Sequence, residues 1–338
     1  MTGYGTGVWW LLLACKDPCP PGDACVVAGT GRAAYDGEGL RAVDSSLYLP
    51  TDVLRWPDGR LAIVDYNNYR LRAIDDAGVL DTVAGDGEHG YATPGAGLLD
   101  SAFENPIAAE IGPDGLVYVV AQHEGRVFVL RGGVVEVVVG TGVLGYAGDG
   151  GDALAAQLWD PTGLVFDGDD LYVADDLTHR VRRVRAGVIE TVVGPEDLDR
   201  PMGMSVDAGS LYIADSGHHR IVAYDLDGGG LSVVAGTGAA GYDGDGGPAV
   251  EAALRSPQGV LAVDGTVFVA DSGNHVVRRI VDGTIDAFAG TAFPAPLGDA
   301  GPPDEAPLSL PTGLFVDTGG DLYVASMLAH QIVRVRVP

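Results

Sequence analysis

The sequence carries a single lysine, Lys16, in 338 residues, and its 20 basic residues face 47 acidic ones for a formal net charge of −27. A polyanion is held by a basic surface that neutralises its phosphates, so this balance argues against nucleic acid as a partner. The acidity reads as a solvated, soluble surface, with cation capture as the alternative. Cysteine is nearly absent, at three residues, and none shows the C-x-x-C spacing of a metal site. Long apolar runs are missing too: Val8 to Ala14 falls well short of the roughly 20 residues that span a bilayer. What the chain has in excess is 52 glycines and 20 prolines, with charged residues at only 20%. That composition describes many short strands and tight turns in place of long helices.

The first 25 residues differ from the rest. Val8 to Ala14 has the size of a signal-peptide core. Leu12-Leu13-Ala14-Cys15 resembles the bacterial lipobox, which implies that Cys15 is lipidated after cleavage. The expected location is then the bacterial outer or plasma membrane through an N-terminal lipid anchor, or the periplasm or exterior. With Cys15 consumed by lipid, Cys19 and Cys25 remain as a candidate disulfide, and three free thiols are the other reading. Residues 1–25 are therefore expected to be a signal and Cys-Pro linker, and 26–338 one domain.

From residue 26 the chain repeats, and internal repeats outrank length in deciding domain count. Six segments open with proline, at Pro50, Pro106, Pro161, Pro201, Pro257 and Pro311. Each leads into an apolar second strand such as Leu171-Tyr-Val-Ala-Asp175 or Leu211-Tyr-Ile-Ala-Asp215. Third strands follow, such as His219-Arg-Ile-Val-Ala-Tyr224, and fourth strands end in Ala-Gly or Val-Gly. Four strands repeated radially make a propeller blade, apolar on both faces because neighbours cover both. Pro257-Gln-Gly, Val269-Ala-Asp-Ser-Gly-Asn-His275 and Val277-Arg-Arg-Ile280 resemble the NHL repeat, with Asp215-Ser-Gly-His-His-Arg-Ile221 nearly as close. The resemblance implies an all-β, six-bladed β-propeller. Blade six lacks a fourth strand at the C-terminus, and Val26-Val-Ala-Gly-Thr-Gly31 reads as that strand, carried at the other end to close the ring. A monomer is expected.

Between blades, the distance from the Ala-Gly or Val-Gly position to the next proline is 22 residues in five cases and 8 in the sixth, Val193 to Pro201. Tyr35, Tyr91, Tyr146 and Tyr242 share one insert column; Leu47, Phe103, Leu158, Leu254 and Leu308 share another. Pro248-Ala-Val-Glu-Ala-Ala-Leu254 has the proline start and alanine content of one or two helical turns. The Gly-Tyr-x-Gly-Asp-Gly-Gly insert resembles the NHL domains of teneurins and of bacterial surface proteins.

Several constellations resemble chemistry. Asp215-Ser216-Gly217 and Asp271-Ser272-Gly273 have the look of nucleophile sites, yet they recur without a dedicated base, and local turn bonding explains them. His179, His219, His275 and His330 share a column: zinc binding is one reading, a repeated structural role the other. Glu38, Asp149, Asp245 and Asp299 share an insert column that would suit Ca²⁺, though no full D-x-D-x-D-G series is present. Arg182, Arg183, Arg278 and Arg279 are expected to bridge acidic groups between blades.

Propellers host unrelated functions, so fold alone does not decide. The leading expectation is a non-enzymatic cell-envelope binding or scaffold protein, presenting loops of one face to a protein or carbohydrate. A metal-dependent lyase or lactonase of the six-bladed type is the alternative. Departures from a repeat are where a specific role sits. The short insert therefore marks a candidate binding notch between blades three and four, with Asp175, His179, Glu196, Asp197, Asp199, Asp215 and His218 at its edge.

Overall fold

In the computed structural model, which describes residues 19–336, six antiparallel sheets surround a central channel. The innermost strands are Pro50–Arg55, Pro106–Ile111, Pro161–Asp167, Pro201–Asp207, Gly259–Val263 and Pro311–Val316. Five of them start on proline, which has no N–H to leave unpaired at a strand's first residue. The second strands, for example Asp170–Asp175 and Ser210–Asp215, are the most buried, because neighbouring blades cover both faces.

The outermost strands are Val79–Ala84, Val134–Val139, Val188–Val193, Leu231–Ala235, Thr284–Ala289 and Ala24–Ala28. The last of these closes the ring: Ala24–Ala28 pairs antiparallel with Gln331–Val335 as the fourth strand of blade six. It begins two residues earlier than the sequence pattern indicates and stops at Ala28. Cys19 and Cys25 are joined by a disulfide with Cα atoms 5.6 Å apart, and Arg336 donates to the Cys19 carbonyl at 2.7 Å. Cys15 lies outside the described residues.

The Ala-Gly ending has a steric cause. Gly29, Gly85, Gly140, Gly236 and Gly290 all have φ between +95° and +107°, and a Cβ at Gly85 would lie 2.3 Å from the Tyr69 carbonyl oxygen. Only glycine fits where a bulged outer strand turns into an insert. Gly194, which leads into the short insert, does not have that conformation.

The inserts hold less helix than their alanines promise. Pro248 to Leu254 contains one 3₁₀ turn, Ala249–Glu251, matched by Ala42–Asp44, Ala153–Ala155 and Pro303–Glu305. Their larger contribution is β. Residues Leu40–Arg41, Gly151–Asp152 and Gly247–Pro248 each add a fifth strand to the outer edge of the following blade. Blades two and six are covered by single bridges, Gly97 to Val134 and Gly301 to Ala24. Leu47, Phe103, Leu158, Leu254 and Leu308 are each 0% exposed and root the inserts in the core.

Candidate functional site

Three arginines of the third strands, Arg72, Arg182 and Arg278, are fully buried. A buried guanidinium is tolerated only where its donors are met. Arg278 donates to the carbonyls of Ala253 at 3.1 Å and Asp243 at 2.9 Å, and pairs with Asp245 at 2.6 Å. Arg182 does the same with Gln157, Ala147 and Asp149, and Arg72 with Ser46, Gly37 and Glu38. The insert tyrosines Tyr35, Tyr146 and Tyr242 lie over these guanidinium groups. Glu38, Asp149 and Asp245 are therefore arginine partners within the insert clamp. The expectation of arginines bridging between blades is corrected: Arg182 and Arg278 hold the insert seated on their own blade, Arg183 pairs with Glu190 of its own blade, and Arg279 lies over Phe288 of its own.

The histidine column also has a repeated bond. Nδ1 of His330, His219 and His275 accepts the N–H of Leu49, Ser256 and Leu310, each at 3.1 Å and each the residue leading into the next blade. Accepting at Nδ1 places the imidazole proton on Nε2 in a neutral ring. Burial lowers the pKa of His275 and His330, which favours that neutral form. The four histidines thus serve four separate junctions and do not converge on one ion. Among the described residues no group of three or more His, Cys, Asp or Glu is placed to hold a metal.

The Asp that ends the second strands of blades one, three, four and five is a long-range staple in addition to local turn bonds such as Asn274 to Asp271 at 2.8 Å. Asp65, Asp175, Asp215 and Asp271 accept the N–H of Tyr48, Trp159, Asp199 and Arg255 at 2.7–2.8 Å, 16 or 17 residues away in sequence. Burial pushes Asp175 up to about 7 and Asp65 and Asp271 to about 6.

The central channel encloses about 660 Å³ between the innermost strands. Its wall mixes aliphatic side chains with Arg55, Gln122, Gln258 and several hydroxyls, and Asp52 and Glu110 are its carboxylates. Asp52 accepts the N–H of Val53 at 2.9 Å and of Ala109 at 3.1 Å, and burial pushes it up to about 7. Burial raises Glu110 as well. Two carboxylates and no histidine are fewer than the three protein ligands of a catalytic zinc.

A second pocket, of about 410 Å³, lies where the insert is short. Glu196, Asp197, His218, Arg220, Val233 and the Gly236–Gly238 turn line it. Behind this lining the fully buried Asp215 is contacted by His218 Nδ1 at 3.0 Å and Arg220 Nε at 2.7 Å. Arg220 also donates to the Asp197 carbonyl at 2.6 Å. Next to it, His179 Nδ1 lies 3.0 Å from Asp199 and 3.1 Å from the Arg200 amide. Three of the seven sequence candidates, Glu196, Asp197 and His218, line this pocket; Asp215 lies behind it, His179 and Asp199 contact each other, and Asp175 is apart, fully buried and stapling Trp159 in blade three.

Sequence reasoning missed Arg220. The signal was available in its column, because Arg70 and Arg180 stack on insert tyrosines Tyr35 and Tyr146 at 4.3 and 3.8 Å, whereas blade four has no insert tyrosine to receive Arg220.

The NHL repeat family profile matches residues 198–224, the stretch running from the short insert through the third strand of blade four. That stretch is one NHL repeat. No curated protein matches the chain. Among solved structures, the propeller is similar to an auxiliary nutrient binding protein from Bacteroides ovatus, at 14% identity and a TM-score of 0.70 over 93% of this chain and 76% of that one. It is also similar to a gluconolactonase from Xanthomonas campestris, at 15% identity and a TM-score of 0.60 over 95% and 96%. A virginiamycin B lyase from Staphylococcus aureus matches at 11% identity and a TM-score of 0.53 over 93% and 99%. At these identities the likeness establishes the propeller fold, which is shared by binding proteins and enzymes alike.

Proposed function

We propose that this propeller is a non-enzymatic binding or scaffold protein of the cell envelope, taking a protein or carbohydrate ligand at the notch between blades three and four. The observation that carries the reading is the pocket of Glu196, Asp197, His218 and Arg220, which exists because this one insert is short. Its polar groups are held over a buried carboxylate, so they are positioned before a ligand arrives. The similarity to a nutrient binding propeller is in keeping with such a role.

The test is a screen of the full chain on glycan and peptide arrays. Asp197→Arg and His218→Ala are expected to weaken the captured ligand at least tenfold with the melting temperature unchanged. Asp245 is no control, because it holds Arg278; the exposed Glu251 of the blade-five insert is. If Glu251→Arg weakens binding more than Asp197→Arg does, the site is on the rim and the notch is wrong.

The lyase or lactonase reading draws on fold similarity to the gluconolactonase and the virginiamycin lyase. It requires a metal-holding donor set, and the channel residues do not compose one. Stoichiometric Zn²⁺ or Ca²⁺ retained by purified protein and lost in His219→Ala or His275→Ala would favour it.

The envelope location rests on the lipobox-like Leu12 to Cys15. No helix among the described residues is long and apolar enough to cross a membrane. Anchoring would come from acyl chains on Cys15, of which more than one is needed for stable attachment. Mass spectrometry of native protein is expected to show an acylated Cys15 N-terminus, and an intact Met1 would contradict it.

A further inference from the structure

The notch opens onto the outer strand of blade four, Leu231–Ala235, and that strand differs from its five counterparts. Leu80, Val135, Ile189, Ile285 and Ala24 occupy the same place, four residues before the Ala or Val that precedes the glycine. All five are 0% exposed. At each, the preceding insert lies alongside and bonds the backbone: the Gly150 N–H donates to the Ile189 carbonyl at 2.7 Å, the Gly246 N–H to Ile285 at 2.8 Å, the Gly95 N–H to Val135 at 2.7 Å, and the Ala24 N–H to Gly301 at 2.7 Å. Leu40 pairs with Leu80 in the same way. Blade four receives no such strand, because residues 194–200 are too few to reach it. Leu231 is accordingly half-buried, Val233 is 41% exposed, and the sheet ends at this strand.

An uncovered sheet edge is a template for an added strand, and proteins ordinarily cover or charge it. Here five inserts cover five edges, and the sixth edge is left bare beside a preformed pocket. The surroundings choose the occupant. Glu196 and Asp197 stand at one end of the strand, and Asp225 and Asp227 in the hairpin at the other, all four exposed. A second copy of this chain would bring the same acidic frame and a further −27 charge against it. A cationic extended peptide meets both features, main-chain bonds along the edge and opposite charge at its ends.

We propose that the outer strand of blade four binds an extended, lysine- or arginine-bearing peptide segment by strand addition, with Leu231 supplying the outward N–H and carbonyl and the acidic groups engaging the peptide's cations. The proposal rests on the notch reading above and names the partner chemistry of that site.

The experiment uses ¹⁵N-labelled full chain and two peptides, Ac-KVKVKVK-NH₂ and Ac-EVEVEVE-NH₂. The lysine peptide is expected to slow exchange of the Leu231 amide at least tenfold, with shifts confined to residues 195–200 and 225–238, and the glutamate peptide to do neither. Leu231→Pro, which removes the donor, and a peptide N-methylated at alternate residues are each expected to abolish the effect. Equal binding of the two peptides, protection elsewhere on the ring, or Leu231 protection that grows with protein concentration in the absence of peptide would overturn the proposal, the last in favour of a second copy. If no strand adds while array ligands remain sensitive to Asp197→Arg, the notch stands and only the strand-addition mode fails. Array ligands indifferent to Asp197→Arg and His218→Ala remove the notch itself.

Discussion

Blades four and five are adjacent and share an Asp-Ser-Gly turn, a junction histidine and the same strand order, yet their outer edges are built differently. Blade five has a long insert, a buried Arg278 to clamp it, a tyrosine over the guanidinium and a fifth strand at Gly247–Pro248. Blade four has a short insert, Val222 in the arginine position, no tyrosine and no fifth strand. Across the ring the arginine accompanies the full fifth strand: blades one, three and five have both, whereas blades two and six carry long inserts with Phe128 and Val333 in the arginine position and only single bridges at the edge. Arginine and added strand thus form one device, and only where the insert itself is short is the edge left open beside a pocket.

The largest expected effect tests the clamp. Arg278→Met removes the donors that satisfy two insert carbonyls and leaves Asp245 and Asp271 without their cation, so about 3–5 kcal/mol of stability should be lost. Val222→Ala at the same place in blade four deletes two methyl groups from a core and should cost about 2 kcal/mol. Equal losses in denaturant titrations would show that the arginine does no more than fill space.

A smaller effect separates the two histidines of these blades. His275→Ala orphans the Leu310 N–H and is expected to cost about 1–2 kcal/mol. His218→Ala, at an exposed pocket wall, should stay within about 0.5 kcal/mol. A reversed order in melting experiments would contradict the division between architecture and site.

A separate effect is a pH dependence. The folded state raises Asp52 and Asp175 to about 7 and Asp65 and Asp271 to about 6 from an ordinary 3.8, so it binds protons more tightly than the unfolded chain. Stability then falls as pH rises between about 4 and 7. Burial of His275 and His330 acts in the opposite sense below about pH 6.5, with two imidazoles against four carboxylates. The melting temperature should be higher at pH 5 than at pH 8. Gly163, Gly203, Gly259 and Gly313 occupy the place of Asp52 in other blades, so Asp52→Gly should shrink that difference by a degree or two.

The ring was legible in the sequence because each blade repeats the same burial problem: six prolines, six apolar second strands and five Ala-Gly or Val-Gly endings state the count, and the missing fourth strand points to Val26. The short insert at Val193 to Pro201 was legible as an interruption of spacing. What it does to blade four was not, since two-residue strands such as Gly151–Asp152 have no period to read. The arginine clamp was hidden for a similar reason. Arg278 and Asp245 are 33 residues apart, and nothing local in either segment marks them as partners. Asp175 misled because it belongs to the same column as Asp215, and a column does not say which member faces a gap.

Native-state hydrogen exchange at the outer strands tests the account most directly. The amide of Val135 is covered by the Ala96 carbonyl at 3.0 Å and that of Ala24 by Gly301 at 2.7 Å, while Leu231 has no insert beside it. In the free protein the Leu231 amide should exchange at least a hundredfold faster than those of Val135 and Ala24, with blade four otherwise as protected as its neighbours. Equal protection at the three positions would mean that the edge of blade four is covered after all, and the notch would lose its meaning as an open site.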